Sequence, residues 1–481
     1  MLDEFGSEIC WAWRLLLSKI GIAWEQTAIH SAPQIAYVKA GAPVPGAKFV
    51  IHADVEKWRR LPTMRLASIQ RMHGCDYPVY ADQKDVGFPD LDEQTICERD
   101  CIFDLFWLAS GYEEAHLPQN RFGHFSLTEQ NQESCRRAVG SAIGAKLEAH
   151  IRRFIDFEPV APWPNGKKAA ACFGHDVDYP QVKKSIEPLR ILARQGKGGV
   201  AAAKDVLSGK RTHWHFQSWM DLEKSLGFRS GFYFVPVKGS LLQYALGRPD
   251  PFYDINSQKF RKLFDILLNN GFEVGLHASY NAYQSFEKFD GEKRKLAQAC
   301  GSPVLGNRHH YWHLDPQNSD ATLKIHESVG LLYDSSLNHE NTVGWRRGLS
   351  WPFFPYLKEE KRQLQTLQLP NCWMDDHLFG HKKYNPGDPV EILRNALDTA
   401  KKQGGCFMAD VHGYVYDSVL FPGWSDLYRT LLEIVAARSD FWVDTPANIA
   451  KFYIERYNII LKNSAGLEGN DSRFNINVVS A

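Results

Sequence analysis

The 481-residue chain shows no excess of either charge, since 56 Lys and Arg balance 56 Asp and Glu. Nucleic-acid-binding surfaces draw on a basic surplus, so net charge gives no reason to expect that partner. Long apolar runs are missing too. No stretch of 18 or more apolar residues occurs, and Arg14 and Lys19 interrupt "MLDEFGSEICWAWRLLLSKIGIAW" as a membrane span. That opening also lacks the basic start and unbroken apolar core of an export leader, which makes a soluble, cytoplasmic protein the expectation. Paired cysteines are scarce. Nine cysteines are dispersed, and only Cys97 and Cys101 stand close, at a spacing that suits one helix face better than a zinc knuckle. An odd, scattered set fits reduced thiols. Internal repeats and low-complexity blocks are absent.

What is present is the composition of a large globular protein, 44% hydrophobic and 23% charged, long enough for two or three cores. The 14 Trp, 19 Tyr and 28 Phe could line a sugar cleft, although a large core uses them equally. Residues 1–160 read as one α/β unit, with a helical stripe in "DCIFDLFWLASGYEE". "EPVAPWPNGKKAA", with three prolines and a glycine, marks a boundary. From there to 456, short apolar strands ("AAACF", "GFYFVPV", "FEVGLH", "GCFMADV", "FWVDT") alternate with amphipathic helices. "SQKFRKLFDILLNNG" and "PVEILRNALDTAKKQGG" each end in Gly, as helix C-termini commonly do. Such alternation predicts a mainly parallel sheet, open or closed into a barrel. Residues 457–481 read as a polar, peripheral tail.

Four strand ends stop at a ligand-like side chain. "ACFGHDVD" delivers Asp176 and Asp178, "FEVGLHASYNAY" delivers His277 with Asn281 four residues on, "VLGNRHHYWH" delivers Arg308, and "CFMADVHGY" delivers His412. Each has a plainer reading: an Asp-x-Asp can be a capping turn, a single His a hydrogen-bonded core residue, an Arg a surface cation. Their shared position supports function, because parallel strands in such a fold open their carboxyl ends on one face.

The order "GHDVDYP … FYFVPV … GFEVGLHASYNAY … GNRHHYW … GLLYDSSL … GWRRGLSWPF … MADVHGY" resembles the polysaccharide deacetylase family (NodB-homology, carbohydrate esterase family four). More narrowly, it is similar to the branch whose first motif reads His-Asp-Val-Asp rather than Thr-Phe-Asp-Asp-Gly. The resemblance covers about residues 168–455, and "IFDLFWLASGYEEAHLPQNRFGHFS" resembles the uncharacterised α/β domain that often precedes such deacetylases. It implies a distorted (β/α) barrel of the polysaccharide deacetylase type, residues 165–456, behind a smaller N-terminal α/β domain. It also implies a divalent metal, zinc foremost with cobalt or nickel as options, and a carbohydrate substrate. Asp176 would be the general base, Arg308 its partner, and His412 the general acid, with Asp410 or Asp334 as candidate partners for His412. Asp178, His277 and Asn281 would be metal ligands. Asn281 stands where the family usually has His, which leaves His175, Ser279 or water open as the third donor and keeps a degenerate, carbohydrate-binding barrel as the alternative. The implied activity is metal-dependent hydrolysis of the C–N bond of an N-acetylated sugar during glycan biosynthesis.

Overall fold

The run "AAACFGHDV" forms strand β1 (Ala169–Val177), in which all nine residues are buried. An apolar run without alternation is what a strand covered on both faces requires. The computed structural model describes residues 2–26, 34–44, 46–92, 95–119, 125–246, 249–379, 387–464 and 474–478. Eight further strands join β1: β2 (Gly231–Phe234), β3 (Glu273–Ala278), β4 (Gly306–His309), β5 (Tyr333–Asp334), β6 (Leu367–Gln368), β7 (Asn371–Met374), β8 (Cys406–Asp410) and β9 (Phe441–Val443). Their order is β6-β5-β4-β3-β2-β1-β8-β7, with β9 beside the start of β1, and every pairing is parallel. The two ends of that path, β6 and β7, are separated in sequence only by Leu369 and Pro370. A sheet whose two edges are joined by two residues must curl round on itself, so the architecture is a distorted parallel (β/α) barrel.

The crossover helices follow from apolar spacing. In Gln258–Asn269 the buried side chains are Phe260, Leu263, Phe264 and Leu267, one face of a 3.6-residue period. Pro389–Gln403 begins where the Asp388 side chain accepts from the Val390 amide and ends at Gly404 with φ of 65°. Both helices pack on the central aromatic core around Phe173, Phe232, Phe234 and Trp373.

The N-terminal unit has its own five-stranded parallel sheet, in the order Trp24–Gln26, Phe474–Val478, Ile35–Lys39, Phe49–Ala53, Ile96–Cys97. Behind it lies the helix Cys101–Ala109, all of whose residues are buried. This core is completed by Leu337, Leu349, Trp351, Phe353 and Tyr356 of the second half of the chain. Arg346 grips Glu114 across the same boundary at 2.5 and 2.9 Å. The two units are therefore packed through shared apolar and ionic contacts.

The segment expected to be a peripheral tail is not one in its described parts. Helix Pro446–Ser464 carries the chain past residue 456, and Phe474–Val478 inserts between two N-terminal strands. "FNINV" alternates apolar and polar residues, a period-2 strand signal inside a segment of polar overall composition. Residues 465–473 and 479–481 lie outside the described residues. Among the described residues no helix is long and apolar enough to cross a membrane.

Candidate active site

The carboxyl ends of β1, β3, β4 and β8 converge. Arg308 on β4 is in register with His277 on β3, and Asp410 closes β8 beside Gly174 of β1. Asp176 precedes the last residue of β1 and Asp178 follows the strand. Parallel strands alone bring residues up to 236 positions apart (176 and 412) to one mouth, without any local motif.

Arg308 is fully buried. Its Nη1 lies 2.8 Å from Asp176 Oδ1 and 2.9 Å from Asp410 Oδ1, and its Nε donates to Ser335 Oγ at 3.2 Å. The guanidinium lies over the Tyr233 ring, 4.4 Å from its centroid. Gly174 leaves room for it, since a Cβ there would fall 2.8 Å from Arg308 Nη2. Burial would raise the Asp176 pKa, but Arg308, then His277 and His412, outweigh it and hold the carboxyl below its ordinary range. Asp410 goes the other way. Burial drives its pKa well up and the negative Asp176 adds to this, against the pull of Arg308. Around one guanidinium the two carboxyl groups are thus pushed apart, Asp176 downward by Arg308 and Asp410 upward by burial.

Asp178, His277 and His310 place three donor atoms within 4.8 Å of one another, all on buried residues. His277 Nδ1 donates to the Arg308 carbonyl at 2.6 Å, which turns Nε2 toward Asp178, 3.3 Å away. His310 Nε2 lies 3.5 Å from Asp178 Oδ2 while its Nδ1 faces Asp250 at 3.3 Å. A carboxylate behind a ring nitrogen is how ligating histidines are oriented. His277 Nε2 and Asp178 Oδ1 are buried with no hydrogen-bond partner. Unpartnered donors at this depth are costly unless something else binds them. Burial would depress His310, yet Asp178 and Asp250 lift its pKa to about 9. Asp178 itself is held well below its ordinary range, chiefly by His310 against burial. The pocket favours positive charge at its centre, and two imidazoles with one carboxylate suit a divalent transition ion such as zinc.

His412 faces the same Asp178 oxygen as His310, its Nε2 3.4 Å from Oδ2. Its Nδ1 faces Asp375 at 3.0 and 3.1 Å, and its backbone N–H donates to the same carboxylate at 2.7 Å. Burial opposes the imidazolium, but Tyr414, Asp375 and Asp178 outweigh it and raise the pKa well above the ordinary histidine range. A low-pKa carboxylate, Asp176, and a high-pKa imidazole, His412, thus share one strand-end mouth, with the separation in pKa that acid and base roles need.

A small pocket lined by Asp176, Asp178, Tyr179, His213 and Tyr414 opens beside the two aspartates. It shares Tyr179, His213 and Tyr414 with a larger cleft also lined by Arg190, Arg194 and Phe421.

The structure brings together Asp176, Asp178, His277, Arg308 and His412. Asn281 is instead exposed at the turn before Ala282–Gln284, whereas Asp178, His277 and His310 are all buried. The other candidates for the third donor are committed elsewhere. His175 uses both ring nitrogens, on the Val411 carbonyl and Glu223, and Ser279 gives its hydroxyl to Glu292 at 2.5 Å. His310 supplies the third donor atom of the cluster. It directly follows β4, and Tyr311 and Trp312 then turn in the left-handed region at φ of 59° and 47°. Its sequence signal was the crowded "NRHHYWH", in which spacing alone does not single out one histidine. The His412 partner is neither Asp410, which faces Arg308, nor Asp334, which accepts from Asn307 and Ser336. It is Asp375, the residue after β7 in "CWMDD".

No family model and no curated protein matches the chain. Several solved structures are similar to it. A candidate polysaccharide deacetylase from Mycobacterium smegmatis is 18% identical, with 62% of this chain and 95% of that chain covered and a TM-score of 0.40. PuuE allantoinase is 15% identical, covering 62% and 94%, at 0.42. A candidate polysaccharide deacetylase from Pseudomonas aeruginosa PAO1 is 14% identical, covering 62% and 95%, at 0.41. These are loose superpositions, and the functional reading rests on the residues of the site.

Proposed function

We propose that the chain is a metal-dependent hydrolase that removes acetyl groups from the amino sugars of a glycan. One observation carries the reading: Asp178 Oδ1 and His277 Nε2, buried, 3.3 Å apart and neither of them hydrogen-bonded, sit beside a third donor atom from His310 and beside an Arg-paired aspartate. Asp178, His277 and His310 would hold the cation, which when bound supplies Lewis-acid polarisation of an acyl oxygen and lowers the pKa of water. The chain's own groups do the rest. Asp176, ionised and fixed by Arg308, accepts the proton of the attacking water. His412, kept protonated by Asp375, donates to the departing amide nitrogen, which leaves as an amine. Asp410, whose pKa burial pushes up beside the same guanidinium, is the weaker acid of the two and leaves the base role to Asp176. Tyr179, Tyr414 and Phe421 in the adjoining cleft offer flat apolar faces of the kind that stack on sugar rings.

The test is acetate release from a panel of N-acetylated sugars, nucleotide sugars and oligosaccharides, with zinc, cobalt or nickel added and with a chelator. Turnover should require metal, and Asp176→Asn should lower it roughly 100- to 10,000-fold. Sugar binding without turnover under every metal would instead identify a carbohydrate-binding barrel.

A further inference from the structure

The crossover between β1 and β2 differs from the others in charge and exposure. Residues 181–211 hold eight basic and two acidic side chains, a surplus of six in a chain of zero net charge. Arg190 pairs with Glu187 at 3.1 Å and Arg211 with Asp205 at 3.4 Å. Among the described residues the other six cations, Lys183, Lys184, Arg194, Lys197, Lys204 and Lys210, form no ion pair, and all but Lys183 are exposed.

Helices α1 (Glu187–Gln195) and α2 (Val200–Ser208) bury only a small core of Ile191, Ala202, Ala203 and Val206 between them. Their outer faces leave Leu189 67%, Leu192 38%, Val200 42% and Leu207 58% exposed. These side chains line a shallow apolar groove that also takes in Lys184 and Lys204. A third helix, α3 (Leu241–Leu246), is tied to α1 because Tyr244 donates to Glu187 at 2.9 Å, and it exposes Leu241, Leu242 and Leu246. These seven are nearly half of the fifteen exposed large apolar side chains among the described residues, so the concentration is not background. The other face of α1, through Arg190, Ile191 and Arg194, lines the cleft that leads to Asp178.

Exposed leucines ringed by unpaired cations are what a helix lying in a headgroup layer presents: apolar area to bury and positive charge for lipid phosphates. We propose that the α1–α2 pair docks on an anionic bilayer surface and so holds the mouth of the cleft at the membrane. Charge complementarity selects this occupant, and the proposal is independent of the deacetylation reading, since binding is measured without turnover.

The experiment is co-sedimentation of the full chain with vesicles of phosphatidylcholine alone or with about one-third phosphatidylglycerol, at low and high salt. Binding is expected to the anionic vesicles only and to fall steeply with salt. Leu189→Glu/Leu192→Glu/Leu207→Glu should weaken it by roughly tenfold or more, and so should Lys184→Glu/Lys197→Glu/Lys204→Glu. Unchanged far-UV circular dichroism and thermal midpoint would show that these variants fold. Wild type that ignores the anionic vesicles, binds both kinds equally, or binds undiminished in the folded variants overturns the proposal. So does retention on polyglutamate resin without vesicle binding, which would assign the surface to an acidic protein.

Discussion

Replacing Asp375 by Asn tests the acid half of the site with little change of shape. The carboxylate accepts the His412 backbone N–H at 2.7 Å and faces Nδ1 at 3.0 and 3.1 Å. An Asn oxygen can keep the backbone bond, but the variant turns a charge-assisted contact with the imidazolium into a neutral one. A hydrogen bond to a charged group is worth roughly 1.5–3 kcal/mol. At about 1.4 kcal/mol per decade, that corresponds to a fall in kcat of roughly 10- to 150-fold, with KM nearly unchanged because Asp375 acts through His412. The pH profile gives a second readout. Asp375 helps hold the His412 pKa up, so His412 stays protonated until the pH rises through that raised value. Without the carboxylate the pKa falls and the alkaline limb of kcat moves to lower pH. Acetate release from an N-acetylated oligosaccharide between pH 5 and 10 measures both. A folded variant with wild-type kcat and an unmoved alkaline limb would refute the pairing as the source of acidity.

Other consequences follow from packing and burial. Gly306→Ala would put a Cβ 1.9 Å from Cζ of Tyr333, whose hydroxyl donates to Glu273 at 2.6 Å and also meets Tyr233 at 2.7 Å, so the ring cannot yield cheaply. A loss of roughly 1–3 kcal/mol is expected in urea unfolding, and a change below about 0.5 kcal/mol would contradict the packing. Burial pushes the Glu113 pKa up to about 7, above its ordinary 4.5, although Asn131 and Ser134 donate to it. A raised folded-state pKa contributes stability that is complete below about 4.5 and lost as pH rises through about 7. Glu113→Gln should therefore be near neutral at pH 4.5 and stabilising by roughly 1–3 kcal/mol at pH 8, and an equal effect at both pH values would contradict the burial argument.

Much of the barrel was legible because its strands are short apolar runs bounded by turns and its helices keep a clean 3.6-residue face. "GFYFVPV", "FEVGLH" and "FWVDT" each contain a strand of the sheet. The two-residue strands Tyr333–Asp334 and Leu367–Gln368 were not legible, because two residues show no period. Phe474–Val478 was hidden by the opposite error, since overall polarity outweighed its alternation. In the site, side chains carried directly by strand ends, such as Asp176 and His277, could be read from position. His310 and Asp375 could not, because loop geometry decides which of several neighbouring histidines or aspartates turns inward. Asn281 shows the same limit from the other side: spacing from His277 placed it near the site, and the turn before Ala282 carries it to the surface.

Bound metal is the most direct measure of a cation held by Asp178, His277 and His310. Elemental analysis after dialysis against zinc should find close to one ion per chain in wild type and in Asn281→Ala, and a marked loss in His310→Ala. A folded His310→Ala variant that keeps its zinc, or an Asn281→Ala variant that loses it, would contradict the account.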